Sequence, residues 1–172
     1  MTHQGGIDFE RLQKDLSDAV SKGYISPLEI NPAWVSFRHP DFPLDSAAPE
    51  AGRFHEDNQT AFYLASGDYC GQYEVPTYYE RVPCDIAPHT VYAFDLYKFS
   101  EDYGWGDTFL KSREQGGWEI GQAASNILTN TYGVSGLLYQ SAACHRSGCF
   151  GYCMAILPGE ERKLPPDFFT PR

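Results

Sequence analysis

Apolar positions recur at two different periods along this chain. Ile7, Leu12, Leu16 and Val20 fall at helical spacing with charged residues between them, and Gly23 stands where a helix would stop, so residues 8–22 read as an amphipathic helix. Pro27 and Pro32 then break the chain. Residues 33–38, Ala-Trp-Val-Ser-Phe-Arg, predict a strand ending on a charge, and residues 39–49 are rich in proline and small side chains, as a surface loop is. A second strand is expected over residues 60–66. Asp68 is placed to cap a short helix carrying Glu74, and Pro76 limits how far that helix runs undistorted. Residues 90–98 alternate as a strand with one wet face. The stretch 100–117 is polar and glycine-rich and predicts a mobile loop. Trp118, Ile120, Ala123, Ala124, Ile127 and Leu128 mark a second amphipathic helix closed by Gly133, followed by strands over 136–140 and 150–157. The tail from Pro158 has no strong pattern, and neither a repeat nor a domain linker is visible. Helix, two strands, helix, strand, helix and two strands in that order predict an α+β fold rather than a doubly wound sheet.

The 172 residues are enough for one domain with a proper core. An apolar content of 42% argues against disorder, and twelve tyrosines with eleven phenylalanines suit a sheet fold with aromatic-lined clefts. A net charge of −10 carries no electrostatic footprint for nucleic acid, so any binding of phosphate must rest on a local cluster of arginines. No run approaches the roughly 20 apolar residues of a membrane helix, and the N-terminus lacks the basic and apolar regions of a signal peptide. These features predict a soluble, cytoplasmic protein without membrane partners. Five cysteines rule out a complete set of intramolecular disulfides. Cys144, Cys149 and Cys153 lie close together beside His145, but without the tight Cys-x-x-Cys spacing of metal sites; small buried side chains on adjacent strands are the better reading. No metal is expected.

The densest chemistry lies between Gly52 and Glu74. Arg53 sits in a Gly-Arg-Phe turn, Tyr63 in the short apolar strand that follows, and Glu74 eleven residues after that tyrosine. A cation, an aromatic face and a lone carboxylate suit a ligand that is anionic at one end and flat and cationic at the other. NAD+ is such a ligand. Arg38 and Arg53 could grip its pyrophosphate by charge-assisted hydrogen bonds, or form structural ion pairs with Asp41, Asp45 or Glu56. Tyr63 could stack on the nicotinamide ring or be a core tyrosine. Ser141, after an apolar strand, could bond the ligand or shape a turn. His39, His55 and His145 read as bystanders.

Several short motifs, in order, resemble the RES-domain toxins, a family similar in fold to the ADP-ribosyltransferases that attacks NAD+. The resemblance spans residues 34–157. Phe37-Arg38 resembles the family's aromatic-arginine pair, Gly52-Arg53-Phe54 its Gly-Gly-Arg-Trp-Asn turn, and Tyr63-Leu64-Ala65-Ser66 with Glu74 its Tyr-Leu-Ala-x-Ser element and helix glutamate. Trp118 with Gln122-Ala123, and the run from Gly136 to Ala142, resemble its last helix and serine strand. The turn reads Ala-Gly-Arg-Phe-His, without the tryptophan and asparagine, and Cys149 or Gly151 stands where many members carry a late asparagine.

The resemblance implies a split β-sheet core with flanking helices over residues 34–172; residues 1–33, outside the match, are expected to be an N-terminal helical extension of the same single compact domain. It implies cleavage of the nicotinamide–ribose bond by hydrolysis or phosphorolysis; transfer of ADP-ribose to a protein, or a non-catalytic binding module, are the alternatives. It places Glu74, Arg38 and Tyr63 in the catalytic set and Arg53, Ser141 and Phe54 in the set that binds the dinucleotide. NAD+ is then the substrate, with no further cofactor. It also implies a neutralising partner, a cognate antitoxin or an immunity protein, and action in the cytoplasm of the producing cell or of a target cell.

Overall fold

The computed structural model describes residues 3–4, 7–30, 35–38, 51–56, 59, 61–66, 82–86, 89–157 and 169–171. A two-stranded ribbon, β1 (His3–Gln4) with β2 (Ile7–Asp8), leads into helix α1 (Phe9–Ser21). Asp8 caps α1 by accepting the Arg11 amide at 2.9 Å. Leu12, Leu16 and Ala19 form its buried stripe. Strands β3 (Ile25–Ile30), β4 (Val35–Arg38), β5 (Phe62–Ala65), β6 (Val82–Ile86) and β7 (His89–Asp95) follow, then helices α2 (Leu96–Asp102) and α3 (Gly117–Tyr132) with a 3-10 turn, Thr108–Leu110, between them. Strand β8 (Gly136–Gln140), helix α4 (Ala142–Arg146), β9 (Tyr152–Ile156) and β10 (Phe169–Pro171) complete the described elements. No described helix is long and apolar enough to cross a membrane.

Eight strands lie in the order β10-β6-β4-β5-β9-β8-β7-β3, with β7 and β8 the parallel neighbours. Among the described residues the join between β4 and β5 is a single ladder position, Val35 opposite Ala65, whereas β8 and β9 share five. The sheet therefore divides into a five-stranded mixed part and a three-stranded antiparallel part. This is the α+β fold, with its split sheet and flanking helices, that the sequence predicts.

Several expectations change. Of residues 1–33, the described positions 7–30 are not helical throughout. Strand β3 pairs with β7 over six positions, and α1 contributes Leu12, Leu16 and Ala19 to the same core as Phe94, Ile120 and Leu137. The stretch 100–117 is not an open loop either. It begins inside α2 and buries Trp105 and Phe109, with Trp105 at 6.4 Å from the Phe99 ring and 6.0 Å from Phe109. Its glycines still act as turn formers, Gly104 and Gly106 both taking positive φ. Gly133 ends α3 at φ 68, as its position in the sequence predicts.

Candidate functional site

The site is built where α3 meets the turn before β5. Gly52 and His55 face each other across that turn, the Gly52 amide donating to the His55 carbonyl at 3.0 Å. Gln122 on α3 donates from one amide nitrogen to both carbonyls of the pair, Gly52 O at 2.9 Å and His55 O at 3.1 Å. One helical turn on, Asn126 donates to Glu56 Oε2 at 3.2 Å and accepts from Gln59 Nε2 at 2.6 Å. Residues four apart share a helix face, so one face of α3 grips the chain from Gly52 to Gln59. The approach is close. A Cβ on Gly121 would stand 2.4 Å from the Arg53 carbonyl, which reserves that position for glycine.

Arg53 occupies the turn between those carbonyls. Its Nη1 donates to Phe109 O at 2.6 Å and Lys111 O at 2.7 Å, which engages both hydrogens of that nitrogen. The 3-10 turn thus fixes one edge of the guanidinium. The fork's second edge, Nε with Nη2, is the one whose geometry suits bidentate recognition of an oxyanion. Tyr63 reaches the same turn from β5. Its hydroxyl oxygen accepts the Phe54 amide at 3.2 Å and lies 2.7 Å from His55 Nδ1 in a second hydrogen bond. Burial pushes the phenol far above its ordinary range, with the Phe54 amide and the Arg53 charge opposing, so Tyr63 is neutral at any physiological pH.

Arg53, Phe54 and Tyr63 are therefore brought together. Phe54, expected in the binding set, is a core residue: it has no exposure and packs edge-on to Tyr139 at 4.6 Å. A ring so placed shapes the turn from behind rather than meeting a ligand. Ser141 is likewise fully buried, and its hydroxyl accepts the Cys144 amide at 3.0 Å as the N-cap of α4. That cap accounts for the residue's position without a ligand contact. Arg38 is the last residue of β4, with its side chain outside the described residues, and Glu74 lies outside them altogether. Of the histidines set aside, His55 is 1% exposed and bonded within the site. The signal for Gln122 was present in the sequence: Gln122 and Asn126 are amides set four apart among the buried positions Ile120, Ala124 and Leu128.

Strands β5 and β8 both run antiparallel to β9, so their carboxyl ends share one edge of the sheet. There Ser66 exchanges hydrogen bonds with Tyr152, and the Ser141 amide donates to Gly151 O at 2.7 Å. Cys144 and Cys153 are buried, one in α4 and one in β9, and Cys149 donates its thiol to Cys144 O at 3.2 Å. The cysteines thus pack a helix against a strand rather than two strands together. Among the described residues no three His, Cys, Asp or Glu side chains converge as a metal site.

No protein-family model matches the sequence, and no curated protein does. A solved structure does share the fold. It is a chain of the crystal structure of the M. tuberculosis MbcT–MbcA toxin–antitoxin complex. The likeness covers 95% of this chain and 90% of that one, at a TM-score of 0.57 and 15% sequence identity.

Proposed function

We propose that this protein is the toxin of a toxin–antitoxin pair and acts by cleaving the nicotinamide–ribose bond of NAD+. The observation that carries the reading is the fold shared end to end with a chain of a toxin–antitoxin complex, together with an arginine and a tyrosine held on one preset turn. Bond cleavage builds positive charge on the ribose anomeric carbon. Glu74 would supply the carboxylate that stabilises that oxocarbenium-like state. Arg38 and Arg53 would hold the pyrophosphate, and the face of the neutral Tyr63 ring would take the cationic nicotinamide. Because Phe54 and Ser141 are buried, their contribution is to shape the turn and the end of β8. A cognate antitoxin would silence the enzyme by covering the same mouth, presenting an anionic group to the arginines.

The test is to incubate the purified protein with NAD+ and follow free nicotinamide. Glu74→Gln should lower the rate by about 10²–10³, the cost typical of one preorganised electrostatic group. A parent protein that releases no nicotinamide sinks the reading. A Glu74→Gln variant within a few fold of the parent removes Glu74 from the mechanism.

A further inference from the structure

Arg53 is held by structure on both of its sides. Its own Nη1 is bonded to two carbonyls, and the turn that carries it is bonded through the Gly52 and His55 carbonyls and the Phe54 amide. Gln122 bridges the carbonyls of Gly52 and His55 with one amide, and the Tyr63 hydroxyl takes the Phe54 amide while bonding His55 Nδ1. There is no slack in this joint: a Cβ at Gly52 would meet the Tyr63 hydroxyl at 2.7 Å, and one at Gly121 the Arg53 carbonyl at 2.4 Å. A turn fixed this tightly does not need ligand to set its shape. An arginine carries substantial rotamer entropy, and fixing it in advance lowers the cost of forming each bond to an oxyanion.

We propose that Gln122, His55 and the Tyr63 hydroxyl are positioning residues that preset the direction of Arg53 for an anionic, pyrophosphate-bearing ligand. This rests on the functional reading above, and it assigns the Tyr63 hydroxyl to the turn. It also gives His55 a role of its own. The imidazole lies against the tyrosine hydroxyl, so this chain secures its Gly-Arg turn with a side chain that the family's turn pattern does not carry.

The experiment uses the full-length chain with Gln122→Met, which keeps side-chain length but removes the donors, and Tyr63→Phe, which keeps the ring. Each is made alone and with Arg53→Ala. Each single change should raise KM for NAD+ about three- to tenfold, the effect of one or two net hydrogen bonds. In the Arg53→Ala background neither should raise KM further, because there is no arginine left to aim. Effects that multiply with Arg53→Ala, or a KM unmoved by both single changes, overturn the proposal. Rotation of the Arg53 guanidinium, followed by nitrogen NMR without any substrate, gives a second readout. It should be slow in the parent and fast in both variants. Equal rotation rates in parent and variants overturn the proposal whatever the enzyme does. If the rates differ as expected but the parent leaves NAD+ intact, the positioning role stands and the NAD+ reading fails.

Discussion

Two polar–aromatic joints hold helices to this sheet, and they are built on opposite principles. In the first, α1 meets α2 and Trp105 near the surface. Tyr24 donates to Asp102 and Tyr103 to Asp18, each at 2.5 Å, Lys22 pairs with Asp18 at 2.9 Å, and Arg11 lies 4.3 Å over the Trp105 ring. In the second, α3 meets the Gly52–His55 turn, where the partners include amides, carbonyls, an imidazole and a phenol, and the guanidinium donates to the carbonyls of Phe109 and Lys111. The first joint uses charge in water, where each pair contributes little and salt screens it. The second relies mainly on backbone amides and carbonyls in a part-buried setting, where an unmade bond costs more. The difference teaches how backbone carbonyls can fix an arginine in a protein of net charge −10.

Breaking the second joint should be the costlier. Phe54→Ala removes a fully buried ring from behind the turn and should destabilise the protein by about 3–5 kcal/mol, measured by denaturant unfolding. A loss below about 1 kcal/mol would mean that the turn does not pack as described. Gly121→Ala comes next. Its new methyl must push α3 from the Arg53 carbonyl, at about 1–3 kcal/mol of overpacking, and should weaken NAD+ binding together with stability. A variant as stable and as active as the parent would show that helix and turn separate freely.

The smallest effects belong to the first joint. The Asp102 hydrogen bond, with some help from burial, raises the Tyr24 phenol from an ordinary 10 to about 12. The neutral phenol is the form the fold favours. Its contribution is therefore complete below pH 10 and is lost as pH rises toward 12. Asp18 behaves in the opposite sense: its bond from Tyr103, then that from Lys22, lowers its pKa, so its contribution holds above the ordinary carboxylate range and fades in acid. A spectroscopic titration of tyrosinate should show Tyr24 ionising late, and Asp102→Ala should bring it back toward 10. An unshifted titration in that variant would remove the carboxylate as the cause.

The two joints were not equally legible in the sequence. Helices α1 and α3 declared themselves, because long stripes of Leu, Ile and Ala at helical spacing end on Gly23 and Gly133. The Gly-Arg-Phe turn and Tyr63 stood out as chemistry. What stayed hidden was the packing between them. Phe99, Trp105 and Phe109 are too few, among too many glycines and charges, to show a period, yet they bury a whole segment that reads as loop. Strand β3 was masked by Pro27, a residue that strands admit at edges. At Ser141 the sequence left open a ligand contact or a turn, because a serine after a strand can equally begin a helix as short as α4. Glu74, which carries the proposed chemistry, lies outside the described residues.

The position of Pro27 has a consequence of its own. It stands opposite Tyr92, whose amide and carbonyl both bond Ser135 on the far side. The backbone site where Pro27 lacks an N–H is therefore turned away from β7, to the margin of the sheet among the described residues, with exposed Glu29 two residues on. Strand β10 at the opposite margin ends on Pro171. A margin interrupted in this way is a poor template for a strand from another copy, and a charged side chain on it repels one. The fold thereby resists chain-to-chain growth into aggregates, so that concentrating it for a binding experiment should leave it dispersed.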